Sequence, residues 1–150
     1  LVFMYDRDLK QKGLEHKVIF RNPKSRYLGE AFSATATYSL KESFDTKYCL
    51  AFKANEMTMK NKAHLIGEVY AVPPEVMLDL DAYHQNGNLY LREFRNVFMM
   101  DQPLPVNGKL KYMTQRCWFY LGVESTWRNC QLRQRPICKN VHCDRFTFLA

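Results

Sequence analysis

The chain has 150 residues, 47% apolar and 14% aromatic, the make-up of one packed domain and not of a disordered chain. Lys and Arg number 22 against 15 Asp and Glu, a net charge of +7, which suits nucleic acid, an anionic membrane or an acidic protein as partner. No apolar run approaches the roughly 18 residues of a membrane-spanning helix, and five cysteines without repeated spacing are not a secreted disulfide framework but point to a reducing, intracellular compartment.

Leu1 to Tyr5 is a short apolar run, predicted as a buried first strand. A polar loop follows, Asp6-Arg7-Asp8-Leu9, and then a charged stretch to Gly13. Val18 to Phe20 fits strand or helix, and Asn22-Pro23 with Lys24-Ser25 reads as a turn. From Ala31 to Tyr38 the residues alternate as in a strand: Phe32, Ala34, Ala36 and Tyr38 on one face, Ser33, Thr35 and Thr37 on the other. Tyr48 to Phe52 is another strand, and Ala63 to Val72 the clearest of the set. Pro73-Pro74 stops that strand and opens a helix, proline being preorganised for a first helical turn. Val76, Leu80 and Tyr83 recur at helical spacing with Met77 beside them, and Asn86-Gly87 ends the helix. Leu89 to Met100 is a long strand with Tyr90, Arg92, Phe94, Asn96 and Phe98 on one side. Pro103 to Gly108 reads as a hairpin connection, and Leu110 to Val123 is the last strong strand. Tyr70, Trp118 and the Leu80 face of the helix are expected in the core.

Three pieces in order carry a resemblance. Leu65-Ile66-Gly67-Glu68-Val69-Tyr70-Ala71-Val72 precedes a helix holding Leu80-Asp81, and Tyr90-Leu91-Arg92 follows. This arrangement resembles the gamma-glutamyl cyclotransferase (AIG2-like) family, whose members place a "GEVY" strand, an "LD" helix and a "YxR" strand in succession. Val2-Phe3-Met4-Tyr5 is similar to that family's opening strand, and Gln115-Arg116-Cys117-Trp118-Phe119-Tyr120 to its closing one. The resemblance spans residues 1–123 and implies an α+β fold: a small mixed, mostly antiparallel β-barrel with flanking helices. Residues 124–150 then form a basic C-terminal extension.

The resemblance also implies where chemistry would sit. In active members a glycine-containing loop after the first strand binds the charged end of the gamma-glutamyl group. A glutamate at the end of the "LD" helix moves the proton as 5-oxoproline is released. Here the substrate loop reads Tyr5-Asp6-Arg7-Asp8-Leu9, with Asp6 at the glycine position, and His84 stands at the glutamate position. Asp6 and Asp8 put negative charge where a carboxylate would bind. Glu75 falls on the opposite helix face, Glu93 lies in the following strand, and Asp81 matches an aspartate that members carry alongside the glutamate. A histidine can serve as a base near neutral pH, so an enzyme of altered chemistry with His84 as base, or a ligand sensor in the old pocket, stands as the alternative to a catalytically inactive domain.

The remaining candidates weigh less. Cys130, Cys138, His142 and Cys143 cluster in the tail, but without the paired spacing of zinc sites, so no metal or cofactor is expected. Basic and aromatic residues interleave at Arg92, Phe94, Arg95 and Phe98 and again at Arg116, Trp118, Tyr120, Trp127 and Arg128, a pattern suited to phosphate contact with base stacking. Within the two strands the plainer reading is a barrel core with a wet cationic exterior. In the tail, Arg128, Arg133, Arg135 and Lys139 form the candidate surface for RNA or a protein partner. The sequence reading is therefore a structural or binding subunit with protein partners, RNA and no small-molecule substrate. A mitochondrial ribonucleoprotein such as the mitochondrial ribosome is the concrete example.

Overall fold

The computed structural model describes residues 1–5, 9–43, 49–53, 63–101, 103–127 and 132–134. In chain order the elements are β1 (Val2–Tyr5), α1 (Leu9–Phe20), β2 (Arg26–Ser33), β3 (Tyr38–Ser43), β4 (Cys49–Lys53), β5 (Ile66–Ala71), α2 (Pro74–Tyr83), β6 (Tyr90–Met99), β7 (Leu104–Val106), β8 (Lys109–Lys111), β9 (Thr114–Gly122), α3 (Glu124–Trp127) and β10 (Leu132–Gln134). None of the described helices is long and apolar enough to cross a membrane.

Five strands close into a barrel in the order β1-β5-β2-β6-β9. β1 makes the closure, antiparallel to β5 and parallel to β9. All four of its residues are buried, because both of its faces are covered and neither can be polar. Phe3 and Tyr5 point into the barrel with Val69, Val97, Cys117, Phe119 and Leu121, and Phe3 stacks on Phe119 at 4.6 Å between ring centres. Val2 and Met4 point outward into a second cluster with Val18 and Ile19 of α1, Val76 and Leu80 of α2, and Tyr70, Tyr90 and Tyr120 of the barrel wall. Among the described residues there are thus two cores, one inside the barrel and one between barrel and helices. Gly67 sits where β5 meets β1, and a Cβ there would overlap the Met4 carbonyl oxygen; this glycine sets how closely the barrel can close.

The expected strand over Ala31–Tyr38 is two. Ser33 breaks it: its hydroxyl accepts the Leu65 N–H at 2.8 Å and donates to the Thr35 carbonyl at 2.9 Å. The chain then leaves the barrel, and β3 joins β4 and β10 in a separate sheet that contributes Tyr38, Leu40 and Ala51 to the inner core. Val18 to Phe20 resolves as the end of α1. Tyr70 and Leu80 are buried, and Trp118 is partly buried, packed from the outer face against the barrel–helix cluster beneath the Arg92 guanidinium. Trp127 docks on the barrel and donates from its indole nitrogen to the Leu89 carbonyl at 2.9 Å. β10 then pairs with β3, so packing continues past Val123.

Candidate functional site

α2 carries the site residues to its C-terminal end. Pro73 caps its start and Val76 and Leu80 anchor its inner face. Gln85 (φ 49°) and Gly87 (φ 95°) take the left-handed conformations that turn the chain into β6. His84 is the last residue before this turn, and its side chain points into the layer between helices and barrel. It stacks on Tyr120 at 4.2 Å and meets Tyr90 at 4.9 Å and Tyr83 at 5.0 Å edge-on. Its Nε2 lies 3.4 Å from Oε1 of Glu15, and each of the two side chains is 1% exposed.

Glu15 is the carboxylate the sequence reading missed. It comes from α1, far from the "LD" helix in sequence, in a stretch where Lys12 and Lys17 make it read as one more solvated charge. Glu75 and Glu93 do not occupy this place: Glu75 lines a separate surface hollow with Arg21 and Asp79, and Glu93 is bound by Lys53 and Arg95.

Asp81 ties the surrounding elements together. Tyr120 donates its hydroxyl to Asp81 Oδ1 at 2.7 Å, and Arg92 stands 3.5 Å from Oδ2. Burial first, and then the hydrogen bond and charge of Asp81, push the Tyr120 hydroxyl above its ordinary pKa, so it remains a neutral donor. Arg92 in turn lies over the Trp118 ring at 4.3 Å. The "LD" and "YxR" motifs therefore meet in space, and their meeting fastens α2 to β6 and β9.

Tyr5 closes the other side. Its hydroxyl donates to the Tyr120 carbonyl at 2.6 Å and accepts the Ala51 N–H at 3.3 Å, which fixes the last residue before the loop inside the barrel. Asp6, Arg7 and Asp8 lie outside the described residues, and so do Arg128, Arg135, Lys139, Cys130, Cys138, His142 and Cys143. Leu9 opens α1, and Arg133 pairs with Glu42 in the β10–β3 ladder; their side chains are outside the description. Of the interleaved aromatics, Trp127 of the tail and Tyr120 are buried in the cluster between barrel and helices, which puts Tyr120 outside the barrel interior of the plainer reading. Phe94 and Trp118 depart from it: they lie on the outer face with arginines stacked on them.

A closed mixed barrel with two helices packed on its wall is the architecture of the AIG2-like, gamma-glutamyl cyclotransferase-like fold. A solved AIG2-like protein from Mus musculus superimposes with a TM-score of 0.56 at 14% identity, over 91% of this chain and 86% of that one. A protein specific to uropathogenic E. coli superimposes with a TM-score of 0.50 at 14% identity, over 82% and 80%. No protein-family model matches the sequence, and no curated protein does. At this identity the shared property is the fold.

Proposed function

We propose that this chain is a noncatalytic AIG2-like barrel that works as a binding subunit of a larger, RNA-containing assembly, a mitochondrial ribosome being the concrete example. One observation carries the noncatalytic part. The position where the family resemblance puts the proton-moving glutamate holds His84, which three tyrosine rings and Glu15 enclose to 1% exposure. A base must come within hydrogen-bond reach of its substrate, and this one is walled off by protein. The binding part draws on the net charge of +7 and on the β7–β8 hairpin. There Leu104 (67% exposed), Val106 and Leu110 face solvent, together with nearby Met113. Such a two-stranded ribbon is marginal alone and suits burial against a protein partner.

The test is release of 5-oxoproline from gamma-glutamyl amines and peptides by the purified protein. No release is expected, and His84→Glu does not restore it, because Asp6 stays at the loop glycine position. Turnover that vanishes on substituting His84 overturns the proposal. One observation favours a second reading, an enzyme of altered chemistry: the 3.4 Å approach of a carboxylate to the imidazole, an arrangement that can orient a base. That reading requires Glu15→Gln and His84→Gln to abolish one and the same turnover.

A further inference from the structure

β6 and β9 run side by side, and their register sets Phe94 opposite Trp118 and Asn96 opposite Arg116. On the outer face these residues form one stack. The Arg92 guanidinium lies 4.3 Å over Trp118, the Trp118 ring is 4.7 Å from Phe94, and the Arg116 guanidinium lies 4.7 Å over Phe94. Phe94 is 42% exposed and Arg116 is exposed. The stack ends at a cavity of about 400 Å³ lined by Phe94 and Arg116 and also by Arg95, Asn96, Thr35 and Tyr38. Arg95 and Lys53 share the Glu93 carboxylate, each at 2.8 Å, which leaves Arg116 as the cation of the outer stack beside the cavity. Burial pushes the Tyr38 hydroxyl above its ordinary pKa, so it stays protonated on the cavity wall.

These features select a ligand chemistry. A guanidinium over an aromatic ring can offer a plane for stacking and its N–H edge for phosphate. A carboxylate-bearing peptide would use the charge but has no planar face for the stack. The cavity is of the size that takes one small-molecule unit. Bases expose their faces only where the strand is unpaired.

We propose that the outer β6–β9 face binds single-stranded nucleic acid, one base stacking on Arg116 above Phe94 and the adjoining phosphate meeting the Arg116 guanidinium at the cavity. The site lies at the N-terminal end of β9, whereas His84 packs against Tyr120 towards its C-terminal end. The inference rests on the reading of the chain as an RNA-associated subunit and gives that reading a surface other than the tail.

The experiment is fluorescence anisotropy of the whole chain with a labelled oligouridylate of about twelve nucleotides, a length within one binding platform. A duplex of the same length, free uridine monophosphate and a polyglutamate peptide serve as competitors. The expected result is strand binding that duplex, mononucleotide and peptide displace only weakly. Arg116→Ala and Phe94→Ala each weaken binding about tenfold, and Arg116→Ala lowers the log–log salt slope by about one. Arg116→Lys keeps the slope and loses affinity. Both side chains being exposed, thermal melts of the variants should match the parent.

Four results overturn the proposal: no strand binding; variants that bind like the parent; uridine monophosphate competing as tightly as the strand, which marks a mononucleotide site; or polyglutamate competing equally, which marks a charge-only protein contact. A parent-like response to these variants, with binding lost instead on combined replacement of Arg128, Arg133 and Arg135, overturns the strand site and leaves the proposed function standing. The proposed function falls separately, on release of 5-oxoproline.

Discussion

Tyr120 and Arg116 sit four residues apart on β9 with their side chains on the same outer face, yet they face opposite fates. Around Tyr120 the barrel wall is covered by α1 and α2: His84 and Glu15 are enclosed beside each other, and the partly buried Asp81 accepts the Tyr120 hydroxyl. Around Arg116 the same wall is bare, and cations lie on aromatics at the surface. The difference teaches where function can reside. In the covered region Tyr120, Asp81, His84 and Glu15 face one another across the junction of helices and barrel, whereas the bare region keeps charge and stacking planes available to a partner.

The largest effect expected is in the covered region. Glu15→Ala removes one member of a buried pair and should cost about 3–5 kcal/mol, enough to threaten a domain of ordinary stability. Replacing both members by apolar residues of similar volume, Glu15→Leu with His84→Phe, should return stability to near the parent value. Denaturant melts decide it, and a Glu15→Ala protein as stable as the parent removes the pair from the account.

Next is Tyr120→Phe, which deprives the partly buried Asp81 of a hydrogen bond and should cost about 1 kcal/mol. Phe94→Ala, on the same face of the sheet but exposed, should stay within about 0.5 kcal/mol. Equal losses at the two positions would erase the contrast between covered and bare wall.

Titration separates the regions more gently. Tyr120 and Tyr70 both have raised pKa values, first from burial and then from Asp81 and Glu68 respectively. The stability they give is complete below their ordinary value of 10.0 and is lost as pH rises above it. Ultraviolet absorbance should show these two tyrosinates forming only as the protein unfolds in alkali. At Glu93 burial opposes the charge, but hydrogen bonds and charge from Lys53 and Arg95 outweigh it and hold the pKa below 4.5. Its contribution is present above that pH and fades as pH falls through the folded value. Glu93→Gln should therefore flatten the acid limb of the stability curve slightly and leave the alkaline limb alone.

The Cys117 thiol, which burial pushes up to about 11, should resist alkylation at pH 8 until denaturant is added, as peptide mapping would show.

Much of the fold was legible because the local signals are strong. Pro73-Pro74 and Asn86-Gly87 bracket α2, and the apolar runs of β1, β5 and β9 occur where both strand faces are covered. Ser33 was not legible, since its alternating neighbours look like continuing strand and only the distant Leu65 N–H reveals the break. Trp118 was expected in the core from its place in the closing strand; that it packs from the outer face, beneath Arg92, depends on the long-range pairing with β6. At the site, His84 and Asp81 were visible from their place in the motif order. Glu15 was not, because nothing local distinguishes a buried carboxylate from a solvated one in a lysine-rich helix. Its role depends on how α1 packs against α2, which is a tertiary fact.

Closure of the His84 position is the central claim, and chemical footprinting tests it directly. Diethylpyrocarbonate carbethoxylates accessible imidazoles, and peptide mass spectrometry can follow His16, His64 and His84 separately in the native chain. His16 and His64 are only half-buried, while His84 is 1% exposed. The account predicts steady modification of His16 and His64, with His84 unmodified until denaturant unfolds the barrel. Native modification of His84 at the rate of His16 would show an open, reachable base and contradict it.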